Sequence, residues 1–108
     1  MADKNVDIWI DAGGNVQVEP AEVHVSITNR ESVVWRCGDG VAAILFDKPE
    51  GAPFRGKQFD TPEGGFVGSG PPIRGQVGKH YPYTVIVKRP NDNRPYRKDP
   101  EVIVDNGG

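Results

Sequence analysis

The chain has 108 residues, with 13 basic and 15 acidic side chains, a formal charge of −2, 14 glycines, 10 prolines and a single cysteine. That length suits one domain, spanning residues 1–108, with one core, and the small net charge excludes the broad field that recruits nucleic acid or an anionic membrane. One cysteine excludes an intrachain disulfide, and no apolar run is long enough for membrane insertion.

In chain order, Val6, Ile8 and Ile10 alternate with Asp7, Trp9 and Asp11, the pattern of a half-buried strand that ends at Gly13-Gly14 and turns Trp9 outward. Val16 and Val18 lead to Pro20. Val23, Val25 and Ile27 follow, with Glu22, His24 and Ser26 on the opposite face. Val33 and Trp35 point inward until Gly38-Asp39-Gly40 breaks the strand, and Ala42, Ile44 and Phe46 resume the pattern. Residues 47–75 are dominated by glycine and proline. A structureless loop of that length is uncommon in a compact domain, so short strands are expected within it, pinned by Phe54, Phe59 and Phe66.

Ile73 and Val77 are expected to begin the next strand. After a turn at Gly78, the segment Tyr81-Pro-Tyr-Thr-Val-Ile-Val87 places Tyr81, Tyr83, Val85 and Val87 on one face. A turn rich in basic residues follows, then a last strand over Asp99–Val104 with Val102 and Val104 together, and a frayed Gly107-Gly108 tail. No helical period interrupts this series. The expected fold is an all-β, Greek-key antiparallel sandwich of two sheets and seven or eight strands. Its inward set is Ile8, Ile10, Val18, Val25, Ile27, Val33, Trp35, Ile44, Phe46, Tyr81, Tyr83 and Val85.

Four pieces of the chain together resemble the cupredoxin-like family. They are Pro20 followed by Val23-x-Val-x-Ile27, Val33-Val-Trp35 leading to Ile44-Leu-Phe46, Gly78-x-x-Tyr-x-Tyr83, and Asp99-Pro-Glu-Val-Ile-Val104. The resemblance implies a Greek-key β-sandwich and leaves residues 47–75 poorly matched. Copper-carrying members of that family supply one His before the fourth strand, then Cys, His and usually Met around the seventh, donors that suit copper. Here the first of these positions falls at Ala42 and the cysteine position near Val85, and Thr84–Gly108 holds no Cys, His or Met. The family's ligands therefore do not carry over. His24, Cys37, His80 and Met1 match the set only as a count. The resemblance puts Cys37 at the opposite end of the sandwich from His80.

The remaining candidates have plainer explanations. Cys37 reads as a small apolar filler at a strand end, and Asp39, Asp47 and Asp60 as turn residues. Gly64–Gly70 lacks the Lys and Ser/Thr of a phosphate loop and reads as a turn. Lys88, Arg89, Arg94, Arg97 and Lys98, with Tyr96 among them, are the only local concentration of cations, and Arg94, Tyr96 and Arg97 are candidate contacts for a small anionic ligand. Trp9, Leu45, Ile86 and Ile103 all alternate outward and would form an apolar docking patch, for a homodimer or another protein, if they shared one sheet. The expected protein is a metal-free binding or interaction module with no cofactor and no enzymatic constellation; its partner is unknown. The alternative is a copper-binding redox protein with an atypical site. The expected compartment is the cytoplasm for the chain as it stands, or the periplasm or exterior if a leader has been removed.

Overall fold

The computed structural model describes residues 3–73, 77–90, 92 and 94–105; Met1, residues 74–76 and the Gly107-Gly108 tail lie outside the described residues. Alternation of apolar and polar side chains decides which face of each strand is buried. The strand β1 (Lys4–Ile10) buries Val6, Ile8 and Ile10, while Asn5, Asp7 and Trp9 face out. The next strand, β2 (Val16–Glu19), follows a turn at Gly14, whose φ of +83° is free of strain only for glycine. Then come β3 (Glu22–Ser26), β4 (Val33–Cys37) and β5 (Val41–Leu45), each with its expected apolar face inward.

The glycine- and proline-rich segment does contain two short strands, β6 (Gln58–Asp60) and β7 (Phe66–Gly68). The series ends with β8 (His80–Pro82), β9 (Thr84–Lys88), β10 (Tyr96–Lys98) and β11 (Glu101–Asp105). Among the described residues there is no helix, and these eleven strands form three sheets with the orders β2-β1-β4-β7, β10-β9-β5-β6 and β3-β11-β8.

The all-β sandwich class stands, and three details of the expected fold are corrected. Eleven strands replace seven or eight, because three-residue strands are too short to show a period. Three sheets replace two, because the chain changes sheet at Tyr83: β8 pairs with β11, whereas β9 pairs with β5 and β10. The sheets are also not wholly antiparallel. Pairings β1·β4 and β11·β3 are parallel, and they join strands far apart in sequence that no tight turn could reveal.

The inward faces meet around Trp35. Its ring packs edge-on to Phe46, Phe54 and Tyr83 and stacks on Phe59 at 5.4 Å. Its Nε1 donates to the Tyr83 hydroxyl at 3.1 Å, so the one polar atom of the indole is satisfied inside the core. Phe54 and Phe59 thus tie the described part of the glycine- and proline-rich segment to the core, helped by two buried hydroxyls. Thr61 accepts from the Ala42 amide and Ser69 from the Val33 amide, each at 2.9 Å. Phe66 is no pin. It lies on the outside of β7, 60% exposed. Ile27 falls just past the end of β3 and is only partly buried against the core. Ile73 and Val77 are exposed and begin no strand, since β8 starts at His80 after the turn at Gly78. Gly64–Gly70, expected to be a turn, holds β7.

Candidate functional site

The outer face of the β2-β1-β4-β7 sheet gathers the most chemistry. Register places Asp7 of β1 beside Arg36 of β4, and Arg36 beside Phe66 of β7, in one row across the sheet. Asn5 and Val34 form the neighbouring row on one side, and Trp9 stands two residues beyond Asp7 on the other. A shallow cleft of about 190 Å³ is lined by Asn5, Asp7, Val34 and Arg36. Trp9, 40% exposed, and Phe66 flank it. The Arg36 guanidinium lies 5.7 Å from the centre of the Phe66 ring, which holds both groups in place at the rim. With strands ~4.8 Å apart and residues ~3.3 Å apart along them, the two aromatic positions are about 12 Å apart.

The residues expected to share one docking patch are separated. Trp9 stays on the face just described. Leu45 and Ile86 are half-buried on the outer side of the β10-β9-β5-β6 sheet, where Ile86 helps line a shallow apolar hollow of about 300 Å³ with Val41, Ala43, Asp60 and Lys88. Ile103 lies on the third sheet and is only 7% exposed. It sits on the outer face as expected, with His24 of β3 and His80 of β8 as its lateral register partners.

The basic turn is internally matched. Arg94 donates from its guanidinium to the Tyr96 hydroxyl at 2.8 Å, and that hydroxyl donates to Asp92 at 2.6 Å. The bond from Tyr96, followed by one from the Arg94 backbone amide, pulls the Asp92 carboxyl down to about 2. The Arg97 guanidinium lies 3.7 Å from Asp99. Tyr96, Arg97 and Lys98 border a polar crevice of about 390 Å³ against Gly14–Gln17. Arg94 and Arg97 therefore already hold carboxylates of this chain, which lowers what they can offer to an outside anion.

Cys37 is fully buried in β4, and burial pushes its thiol above the ordinary value, so it is a poor nucleophile at neutral pH. The two positions that the resemblance sets against copper ligands, Ala42 and Val85, are buried apolar residues on the paired strands β5 and β9. Donor atoms do converge elsewhere. On the outer face of β3-β11-β8, ligand atoms of Glu22, His80 and Glu101 lie within 4.8 Å of one another, and His80 Nδ1 is 2.8 Å from a Glu101 oxygen. That contact, the largest influence, holds the Glu101 carboxyl below its usual range. His24 makes a separate contact with Asp105 at 3.3 Å.

Sequence patterning assigned Phe66 to the core, where it is exposed, and made no candidate of Arg36 or the two glutamates. The outward position of Arg36, Glu22 and Glu101 is visible in the alternation of their strands. Their convergence depends on pairings between remote segments, which alternation does not encode. Compared with family models and with curated proteins, the chain matches none.

Proposed function

We propose that this chain is a cupredoxin-like β-sandwich that works as a non-catalytic binding module, and that its ligand is a neutral saccharide chain laid across the outer face of β2-β1-β4-β7. One observation carries this reading: two exposed aromatic rings flank a polar cleft whose lining charges, Asp7 and Arg36, cancel. A cleft with one carboxylate and one guanidinium side by side favours neither an anion nor a cation. Together with Asn5 it offers donors and acceptors at one level, which suits a neutral ligand rich in hydroxyl groups. Sugar rings present apolar C–H faces and hydroxyl edges, so the faces stack on Trp9 and Phe66 while the edges reach the cleft. Its ~190 Å³ is below the roughly 300–1,000 Å³ of pockets that enclose a drug-sized ligand, so it takes one ring of a longer chain.

The cupredoxin-like part of the proposal rests on the order and spacing of the four sequence pieces that resemble that family, in a chain that folds as an all-β sandwich. Apolar residues at Ala42 and Val85 and the buried, protonated Cys37 argue against electron transfer through a thiolate–copper bond.

Electrophoresis through native gels containing soluble neutral glucans or xylans tests the ligand class. At least one polysaccharide should retard the wild-type chain, and Trp9→Ala and Phe66→Ala should each restore its mobility. No retardation by any of them, or retardation indifferent to both substitutions, defeats the proposal. A parallel copper(II) titration tests the other half: an intense thiolate-to-copper band lost in Cys37→Ser would make the chain a redox protein.

A further inference from the structure

We propose that Glu22, His80 and Glu101 form a binding site for one divalent cation of the zinc class on the outer face of the β3-β11-β8 sheet. The three side chains come from three adjacent strands, with Glu101 on the central one. Glu22 is the register partner of Glu101 across the parallel β3·β11 pairing. His80 is paired with Ile103, two residues along β11 on the same face, and leans diagonally to reach Glu101 at 2.8 Å. Two carboxylates and an imidazole thus project to the same side and converge within 4.8 Å.

The donor set favours zinc over the hard cations. Calcium and magnesium take shells of oxygen, whereas one imidazole nitrogen with two carboxylate oxygens is a combination that zinc accepts. Three protein donors leave a fourth tetrahedral position open to solvent. With zinc–donor distances of ~2.0–2.2 Å, donors in a tetrahedral shell stand about 3.3–3.6 Å apart. The present spread is compatible with that value: His80 and Glu101 must part by under an ångström, and no pair need close by more than about 1.5 Å. Glu22 and His80 are exposed, so their rotamers can make that adjustment without disturbing the core.

The site also has a structural consequence. In this sheet β3 and β8 are both edges, each hydrogen-bonded to the central β11. A cation bound by one residue from each strand ties both edges to the centre, and binding to the folded state alone raises stability by mass action. His24 supplies an internal control. It lies on the same face across Ile103 but contacts Asp105 and is outside the three-residue group.

Isothermal titration of zinc chloride into metal-stripped, tag-free protein, with melting curves at each ratio, provides the test. One equivalent should bind and raise the melting temperature. His80→Ala and Glu101→Gln should each weaken binding by at least about tenfold, in line with the loss expected when a metal site is disturbed. Because both side chains are on the surface, the variants should keep the wild-type fold by circular dichroism. His24→Ala should bind zinc as the wild type does. Absence of heat and of a melting shift, binding unchanged in His80→Ala, or an equal loss in His24→Ala would each overturn the assignment.

Discussion

The two tryptophans occupy opposite faces of one sheet, and the contrast between them separates what holds this molecule together from what it presents. Trp35 on β4 is fully buried, ringed by four aromatic side chains and bonded to Tyr83. Trp9 on the neighbouring β1 faces out, beside a cleft lined with polar groups. Backbone pairing is shared between the two strands, so the difference lies entirely in the side chain's surroundings. A buried aromatic contributes through area removed from water and close packing, whereas an exposed one contributes little to folding and stays available to a ligand.

The largest effects should fall on the inner face. Trp35→Ala should lower unfolding free energy by about 3–5 kcal/mol, measured by denaturant titration, because it opens a cavity and strips Tyr83 of its partner. Phe54→Ala should cost a comparable amount, about 3–5 kcal/mol, since its ring reaches from the glycine- and proline-rich segment into the same cluster. Phe66→Ala, in the same segment, should stay within about 0.5 kcal/mol of the wild type. Equal costs for the two phenylalanines would mean that Phe66 is also a pin, and the outer face would lose half of its aromatic pair.

A finer probe of the core is Tyr83→Phe, which removes only the oxygen that accepts from Trp35 Nε1. Burial pushes the Tyr83 hydroxyl well above its ordinary value, so it stays neutral throughout the accessible range. The substitution should cost about 1–3 kcal/mol, the penalty for a buried indole N–H left without an acceptor. On the opposite face, Trp9→Ala should change stability by less than about 0.5 kcal/mol. In fluorescence, acrylamide should quench Trp9 and spare Trp35. Strong quenching that survives Trp9→Ala would contradict the burial of Trp35.

The same two faces mark how far the sequence could be read. Period-2 alternation is local, so it located the buried set from Ile8 to Val85 with Ile27 as the marginal member. It also turned Trp9 and His24 outward. Exposure is not local. Ile103 alternates outward as expected and is nonetheless only 7% exposed, on a strand that runs centrally between β3 and β8. Phe66 lies between glycines and a single valine, a context with no alternation from which to choose a face. The Gly38-Asp39-Gly40 break was legible as a turn, but two of its tasks were not. Asp39 accepts from the Ile10 amide at 2.7 Å, and a Cβ on Gly40 would collide with the Lys88 carbonyl. Both depend on the neighbouring strands having been brought together, and the same is true of the Asp7–Arg36–Phe66 row and the Glu22–His80–Glu101 group.

The smallest expected effect concerns the basic turn. Asp92 accepts hydrogen bonds from the Tyr96 hydroxyl and the Arg94 amide and lies 3.5 Å from the Arg94 guanidinium. Its carboxyl accordingly falls from an ordinary 3.8 to about 2. A folded-state value below the unfolded one means that the unfolded chain binds the proton first as acid is added. The stabilisation is therefore fully present above about pH 4 and is lost as the pH falls through the interval down to about 2. Comparing unfolding midpoints at pH 5, 4, 3 and 2, the wild type should lose more stability than Asp92→Asn across that interval, with the curves parallel above it. Curves parallel throughout would mean that the Asp92–Tyr96–Arg94 linkage is not held in solution. Arg94 would then be released from its own carboxylate and again available to an external anion, so this modest acid slope also tests whether the basic turn is matched internally or is a contact surface.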